Sequence, residues 1–292
     1  MIRSLHLSAA CLSALIVFVS TARAAEVTVP HDAQPESITV APDGSLILGS
    51  ASSPKIYRAK KGESSASVFI DLSSEIPKGT FLGVLADSPT NTLWACQIND
   101  GPPGPGRKST LRGFDLKTGA PKFRWALPGD TNLCNDFAVG PDHALYVTDT
   151  LLGKIWRVKH GAKEGELLIE DRALLGIDGI TFLNGTLYAN NVFSDNLYRI
   201  PLDASGKAGK PFHIWVDQPI NGPDGMRSAN GKLFVAENSG GRISMITVHG
   251  DKASATKVAD GFKIPTAVQP SGETLWMGDR GGDKAVSIPI PK

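Results

Sequence analysis

The sequence has no excess of either charge, only three cysteines and no convincing amphipathic helix. Its 30 Lys and Arg residues nearly balance its 29 Asp and Glu residues. Surfaces that bind nucleic acid or anionic membranes carry a basic field, so this balance argues against both partners and favours a small molecule. We separately expect a monomer. The sequence also has no Ser-His-Asp order, Gly-rich phosphate loop or zinc-ligand spacing that would indicate those chemistries.

Long hydrophobic runs are also missing. The apolar run from Leu12 to Val19 is too short to span a membrane, follows Arg3 and precedes the small-x-small pattern Ala22-Arg23-Ala24. These are the parts of a secretory signal peptide; an uncleaved anchor is the alternative. We predict a signal peptide over residues 1–24, a single domain over 25–292 and a periplasmic or secreted location. Cleavage would leave 28 basic and 29 acidic residues.

Cysteine is scarce in the predicted mature chain, which keeps only Cys96 and Cys134. An oxidising compartment permits a disulfide between them. Two separately buried thiols are equally compatible with the sequence, because the sequence does not give the distance between them. Both alternatives stay open at this point.

The sequence does contain a repeat, seen most clearly from Asn135 to Val158. Each copy has a leucine after a turn, and the intervals between these leucines are 47, 52, 42, 46 and 42 residues. The six leucines are Leu46, Leu93, Leu145, Leu187, Leu233 and Leu275. A period in the mid-forties with three or four short strands per unit is typical of a propeller. We therefore predict an all-β, six-bladed β-propeller, with a β-sandwich as the alternative.

The local pattern fits strands joined by tight turns. Apolar residues alternate, and Asn184-Gly185 and Asn230-Gly231 are strong hairpin signals. The last copy has room for only one further strand, from Ala285 to Ile290. We expect Glu26 to Pro30 to supply the missing strand and close the ring, which would remove an exposed edge.

Polar residues recur where the innermost strand of each copy begins. Nine or ten residues before each leucine lie Glu36, Gly83, Asn135, Asp178, Asp224 and Pro265. In a propeller these positions converge on one mouth of the central channel. Three carboxylates at one axis repel one another unless a cation lies among them, and oxygen-only ligands favour Ca²⁺, with Mg²⁺ or Mn²⁺ next and Zn²⁺ less usual. The alternative is that these residues cap strands and contact channel water.

A second polar set follows each leucine by four residues. Its members are Ser50, Gln97, Asp149, Asn191, Glu237 and Asp279. We expect this set to open on the same mouth, where it could orient ligands or line a pocket; a solvated rim is the alternative. Arg227 and His143 are expected near or beyond the turns, and the sequence assigns neither a role.

Three segments resemble the senescence marker protein/gluconolactonase (regucalcin-like) family of six-bladed propellers. They begin at Pro35 (PESITVAPDGSL), Cys134 (CNDFAVGPDHALYVTD) and Asn221 (NGPDGMRSANGKLFVAE), and the resemblance covers essentially the whole predicted mature chain. It implies a divalent cation held by Glu36, Asp178 and Asp224, with Asn135 helping to bind metal or substrate. The sequence departs from the family at Asp178, where the family usually has Asn, and in lacking its Glu-Gly-Pro start.

The carboxylate set and the resemblance together predict metal-assisted hydrolysis of a lactone or related ester. Asp224 would act as general base or nucleophile, Asn135 would position the substrate oxygen, and Glu36 and Asp178 would fix the metal. The Pro/Gly-rich segment from Gln97 to Ser109 could act as a lid. The alternatives are a ligand-binding propeller with a structural Ca²⁺ and, last, a quinone-dependent oxidoreductase, which would need cationic residues at the mouth.

Overall fold

The computed structural model describes residues 24–31, 33–100 and 106–291. These ranges contain 24 β-strands and two 3-10 helices of three residues each, so the all-β class is confirmed. Within them, no helix has the length and apolar character needed to cross a membrane. The predicted signal peptide lies, except for Ala24, outside the described residues.

The strands are short and follow one another closely along the chain. The first twelve are β1 (Glu26–Thr28), β2 (Pro35–Val40), β3 (Leu46–Ser50), β4 (Lys55–Ala59), β5 (Ser67–Asp71), β6 (Thr80–Asp87), β7 (Thr92–Ile98), β8 (Ser109–Asp115), β9 (Pro121–Ala126), β10 (Cys134–Val139), β11 (Leu145–Asp149) and β12 (Lys154–Val158). The rest are β13 (Glu166–Glu170), β14 (Ile177–Leu183), β15 (Thr186–Asn191), β16 (Asn196–Ile200), β17 (Phe212–Val216), β18 (Pro223–Ala229), β19 (Lys232–Glu237), β20 (Arg242–His249), β21 (Lys252–Asp260), β22 (Pro265–Ser271), β23 (Thr274–Asp279) and β24 (Lys284–Pro289). The 3-10 helices are Arg172–Leu174 and Arg280–Gly282.

Hydrogen bonds join these strands into four sheets rather than six separate ones. Two sheets have four strands, β10 to β13 and β1 with β22 to β24. Two have eight, because the pair Ser50–Phe81 connects β3 to β6 and a parallel pairing at Trp215–Lys252 connects β17 to β21. All other neighbouring strands are antiparallel, and all of these pairs except β1 with β24 are consecutive in the chain. The two Asn-Gly turns lie where predicted, with Asn184 and Asn230 at φ 50°.

The first strand of each hairpin series lies innermost. β2, β6, β10, β14, β18 and β22 each contact the next in this order, and β22 contacts β2 again. The core lies between neighbouring layers of strands. One cluster of buried residues joins Ile38 and Leu48 to Ala267 and Ala285, which ties the start of the chain to its end. The inner strands therefore form a closed circuit.

The N-terminal strand pairs as expected. β1 lies antiparallel to β24, with Val27 opposite Ala285, and Val27 and Val29 are buried. Thr28 also bonds to Ser64 and Ala66 just before β5, which was not expected. β1 thus contacts both the last sheet and the first hairpin series.

The two alternatives for the cysteines are resolved. Cys96 in β7 and Cys134 at the start of β10 form a disulfide, with their Cα atoms 5.3 Å apart, and both are fully buried. The bond fixes the residue that directly precedes Asn135.

Candidate functional site

Each inner strand contains a β-bulge near its start. The register shifts between Pro35 and Ile38 in β2, and equivalent shifts occur in β6, β10, β14, β18 and β22. A bulge bends a strand and redirects its side chains, and bulges are frequent beside active sites. Glu36, Asn135, Asp178 and Asp224 all lie within these bulges. These four residues therefore occupy the same place in the bulge of their strands, in addition to having similar spacing in the sequence.

The four residues predicted as metal ligands line one cavity of about 860 Å³. All four are buried, with exposures between 5% and 7%. They come from β2, β10, β14 and β18, so the structure brings together what the sequence separates by almost 190 residues.

Hydrogen bonds fix the orientation of the two central side chains. The Asn135 amide Nδ2 donates to Asp178 Oδ2 at 2.9 Å and to Thr150 Oγ1 at 3.0 Å. Both amide hydrogens of Asn135 are thus used within the protein, and its carbonyl oxygen is the atom left for a cation or a substrate hydroxyl. Asp224 Oδ2 accepts from Asn238 Nδ2 at 3.0 Å, and Asp224 Oδ1 accepts from the backbone N–H of Gly225.

The three carboxylates oppose one another's ionisation. Burial, and next the charge of Asp224, raise the pKa of Glu36 well above its usual value, although Arg280 opposes this. Burial and the charges of Asp224 and Glu36 raise the pKa of Asp178 in the same way. Burial raises the pKa of Asp224 to about 7, while the Asn238 hydrogen bond and Arg280 act in the other direction. A bound cation would relieve this repulsion.

A buried ion pair lies beside the carboxylates. Arg227 in β18 donates from Nη1 and Nη2 to Asp136 of β10 at 2.7 and 2.8 Å, and both residues are buried. Burial lowers the pKa of Arg227, but Asp136 and Glu36 together raise it above its ordinary value. Together with the four site residues, the pair lines a second space of about 10 Å³. Arg227 does lie close to a turn, three residues before Asn230, but the sequence did not predict its contact with Asp136.

The ring predicted from spacing is offset in two copies. The structural equivalents of Glu36 are Leu82 and Thr266, not Gly83 and Pro265, because Phe81 and Pro265 are the residues that pair across to β7 and β23 before the bulge. The turns in these copies do not have the lengths that counting assumed.

The second polar set is buried and does not line the large cavity. Five of its six members instead hold the loops that precede the inner strands, while Gln97 donates to Asn99 just after β7. Asp149 accepts from the backbone N–H of Leu133 at 2.9 Å, Glu237 from Asn221 at 2.8 Å and Asp279 from Ile264 at 2.9 Å. The second polar set therefore lies outside the cavity and holds the backbone that precedes the site residues. It neither lines the pocket nor forms a solvated rim, so both of those interpretations are wrong.

The residues one position later do line the cavity, and the sequence analysis missed them. They are Ala51, Thr150, Val192, Asn238 and Arg280. Strand alternation contains the signal, because the residue next to an inward-buried position points the other way. His143 lies in a turn, as expected, and lines a different cavity. No described residue of the segment 97–109 lines the large cavity, which gives the lid prediction no support; residues 101–105 of that segment lie outside the described part.

The donor chemistry of the cavity suits a hard cation. Three anionic oxygens and one amide oxygen are ligands that Ca²⁺ prefers, and their mutual repulsion marks where a positive charge would be stabilised. In the described part of the chain, no three His, Cys, Asp or Glu side chains are close enough together to chelate an ion as they stand. Binding would therefore require Glu36, Asp178 and Asp224 to turn toward one another.

Comparisons with known proteins show the fold. No protein-family model matches the chain, and no curated protein matches it significantly. Among solved structures, a gluconolactonase from Xanthomonas campestris has a TM-score of 0.67 at 15% identity, over 88% of this chain and 86% of that one. Virginiamycin B lyase from Staphylococcus aureus has a TM-score of 0.63 at 16% identity, over 92% and 99%.

The PQQ-bound aldose sugar dehydrogenase from Streptomyces coelicolor is equally similar. Its TM-score is 0.63 at 17% identity, over 92% of this chain and 99% of that one. The three neighbours are named for three different reactions, and identities this low indicate a shared architecture only. The chain is similar to gluconolactonase, lyase and sugar dehydrogenase propellers, and it has their propeller-like fold.

Proposed function

We propose that this protein is an exported, metal-dependent hydrolase of the gluconolactonase type, which opens a lactone or related ester in the large cavity. One observation carries the proposal: three carboxylates and an amide oxygen from four inner strands are buried together beside a space large enough for a small molecule. Such a cluster, with pKa values raised by burial and like charge, is what sites for acid–base and metal chemistry contain.

The proposal includes a division of the sheets into six blades. Each inner strand would begin one blade, the following three strands would complete it, and β1 would serve as the fourth strand of the blade formed by β22, β23 and β24. The closed circuit of six inner strands supports this division. The two eight-stranded sheets would then each be two blades joined at one edge.

Glu36, Asp178, Asp224 and the carbonyl oxygen of Asn135 would hold the cation, Ca²⁺ first. When bound, the cation would polarise the substrate carbonyl and stabilise the negative charge that develops on its oxygen. Asp178 would remain oriented by the Asn135 amide, which cannot donate to the substrate while both of its hydrogens are used. The part of Asn135 in positioning the substrate is therefore that of an acceptor.

Asp224 would be the general base. Asp224 lines the large cavity, where its carboxylate can take a proton from water and return it. Water would add to the carbonyl carbon as its proton passes to Asp224. The ring C–O bond would then break as the proton returns to the leaving oxygen, giving a hydroxy acid. Asn238 and the Gly225 N–H orient this carboxylate in the metal-free protein.

The test is the variant Asp224→Asn, which keeps an oxygen donor but cannot accept a proton. We expect kcat on a lactone panel to fall at least about 100-fold, while Ca²⁺ binding measured by calorimetry persists with reduced affinity. Asp130→Asn, an exposed position, is the matched control and should change neither. Normal turnover in Asp224→Asn would refute the role of the base. Ca²⁺ binding without turnover of any lactone or ester would instead favour a ligand-binding propeller with a structural ion.

A further inference from the structure

The large cavity has two unlike sides. Leu82, Leu133, Leu151, Val192 and Phe193 line one part, and we call them the apolar wall. They belong to the three successive hairpin series that begin near β6, β10 and β14, and these inner strands contact one another in that order. The hairpin series that begin at β2, β18 and β22 contribute mainly polar side chains, Gln34, Asn238, Arg280 and Asp283, together with Ala51 and Ile264, and Thr150 lies next to Leu151 in the lining. The reactive carboxylates lie in the same cavity.

Phe193 is the outermost member of the apolar wall. It is 68% exposed, the highest value among the large exposed hydrophobic residues described. The backbone of Phe193 is nevertheless held, because its N–H donates to Asn191 Oδ1 at 3.0 Å. Gly176 lies against the ring, where an added Cβ would come within 2.6 Å of it. An aromatic ring held in water beside a cavity is placed where a ligand could cover it.

We infer that the substrate carries an apolar alkyl or aryl substituent, which lies on the apolar wall, and that it is not a polyhydroxylated sugar lactone. This inference rests on the proposed function. The five side chains of the wall offer no hydrogen-bonding group, so sugar hydroxyls placed against them would lose water without gaining partners. A hydrocarbon substituent gains from the same contact. The polar part of the cavity remains available for the lactone group.

The first experiment compares kcat/KM for γ-butyrolactone, γ-hexalactone, γ-decalactone and glucono-δ-lactone. Each methylene buried on the wall should raise kcat/KM about fourfold until the wall is covered. γ-Decalactone should therefore exceed both γ-butyrolactone and glucono-δ-lactone by at least about tenfold. A flat response to chain length, or a preference for glucono-δ-lactone, would overturn the inference while leaving a hydrolase in place.

A pair of variants locates the effect on the wall. Phe193→Ser should reduce the ratio of kcat/KM for γ-decalactone over γ-butyrolactone several-fold. Trp215→Ser is the matched control, because Trp215 is also an exposed aromatic, at 56%, but does not line the cavity. Its ratio should remain that of the wild type. An unchanged ratio in Phe193→Ser would show that the substituent lies elsewhere and would contradict the inference.

A binding measurement separates this inference from the proposed function. An amide carbonyl is much less electrophilic than an ester carbonyl, so calorimetry with the lactams 2-pyrrolidinone and 5-hexyl-2-pyrrolidinone measures recognition without turnover. Tighter binding of the hexyl compound, weakened by Phe193→Ser, would support the apolar wall even if no lactone were turned over, and only the hydrolase would then fail. Equal or undetectable binding of both lactams would overturn the inference whatever the outcome for hydrolysis.

Discussion

Asp178 carries the third negative charge of the buried cluster. Without a cation, burial and two neighbouring carboxylates raise its pKa well above the usual value. The folded state therefore binds a proton at Asp178 more tightly than the unfolded state does. Below about pH 4, the ordinary pKa of Asp, Asp178 is protonated in both states and does not lower the free energy of unfolding. That free energy falls as the pH rises from there toward the raised pKa of the folded state. A buried carboxylate cluster of this kind destabilises the metal-free protein at neutral pH.

We predict that Asp178→Asn stabilises the metal-free protein at pH 7.5, by about 1 kcal/mol or more, because it removes one of three buried like charges. The gain should shrink at pH 5, because the destabilisation caused by the raised pKa of Asp178 falls as the pH approaches the ordinary pKa of Asp. With Ca²⁺ present, the order should reverse, since the variant has lost an anionic ligand. Urea unfolding at both pH values, in chelator and in Ca²⁺, measures all of these effects.

The control for this prediction is Asp130→Asn, whose side chain is fully exposed. It should leave the free energy of unfolding unchanged within about 0.5 kcal/mol under all four conditions. A metal-free Asp178→Asn protein that is less stable than wild type at pH 7.5 would show that the hydrogen bond from Asn135 outweighs the repulsion, and the electrostatic account of the cluster would be wrong.

Sequence spacing predicted the four carboxylate and amide positions because strand alternation is regular and the leucines give a fixed reference. It did not predict the partners of those residues. Arg227 and Asp136 are 91 positions apart and meet only because β10 and β18 both face the same central space. Arg280 influences Glu36 and Asp224 from beyond β23. Such pairings depend on the closure of the ring, which no local pattern contains.

Elements of the inner circuit are held close together by glycines in the bulges. A Cβ at Gly83 would lie 1.9 Å from the backbone carbonyl oxygen of Asn135, and a Cβ at Gly179 would lie 2.5 Å from the backbone carbonyl oxygen of Asp224. In both places the glycine faces the backbone of a site residue on the next inner strand. The glycines therefore set the spacing of the strands that carry the site.

We predict that Gly83→Ala displaces the backbone at Asn135, because the carbonyl oxygen cannot stay where it is. The expected result is a loss of about 2–4 kcal/mol in unfolding free energy, typical of severe overpacking, and weaker Ca²⁺ binding. Gly209→Ala is the matched control, since its Cβ would make only ordinary contact, 3.4 Å from Pro201. Equal losses in the two variants would show that the close approach at Gly83 has no special cost.

The strands and hairpin turns were predictable because alternation and Asn-Gly pairs are local signals. The bulges were not, since one extra residue in a strand leaves a pattern that reads as a slightly longer turn. The one-residue error at Gly83 and Pro265 has a different cause, because the turns after β6 and β22 do not have the lengths that counting assumed. The sequence could not decide the disulfide, because Cys96 and Cys134 approach only when β7 lies beside β10.

At the scale of the whole molecule, the first and last strands of the described part of the chain, β1 and β24, meet in one sheet. The repeat in the sequence predicted this meeting, because the last copy lacked a strand that Glu26 to Pro30 could supply. The repeat did not predict that β1 would also bond to residues before β5, nor that sheets would join at Ser50–Phe81 and Trp215–Lys252. These contacts lie between copies, where the repeat gives no information.

The stability of the closed molecule should therefore depend on β1 more than its three residues suggest. Val27 is 4% exposed and packs with Ala285 and Ile38, so Val27→Asp would bury an unpaired charge. We predict a loss of about 3 kcal/mol or more in unfolding free energy. Release of β1 would also expose the edge of β24, and unpaired edges promote association, so size-exclusion chromatography should show concentration-dependent oligomers. Val68→Asp, at a valine that is 48% exposed in β5, is the control. If both variants elute alike at all concentrations and unfold with the same free energy, pairing of β1 does not stabilise the closed ring.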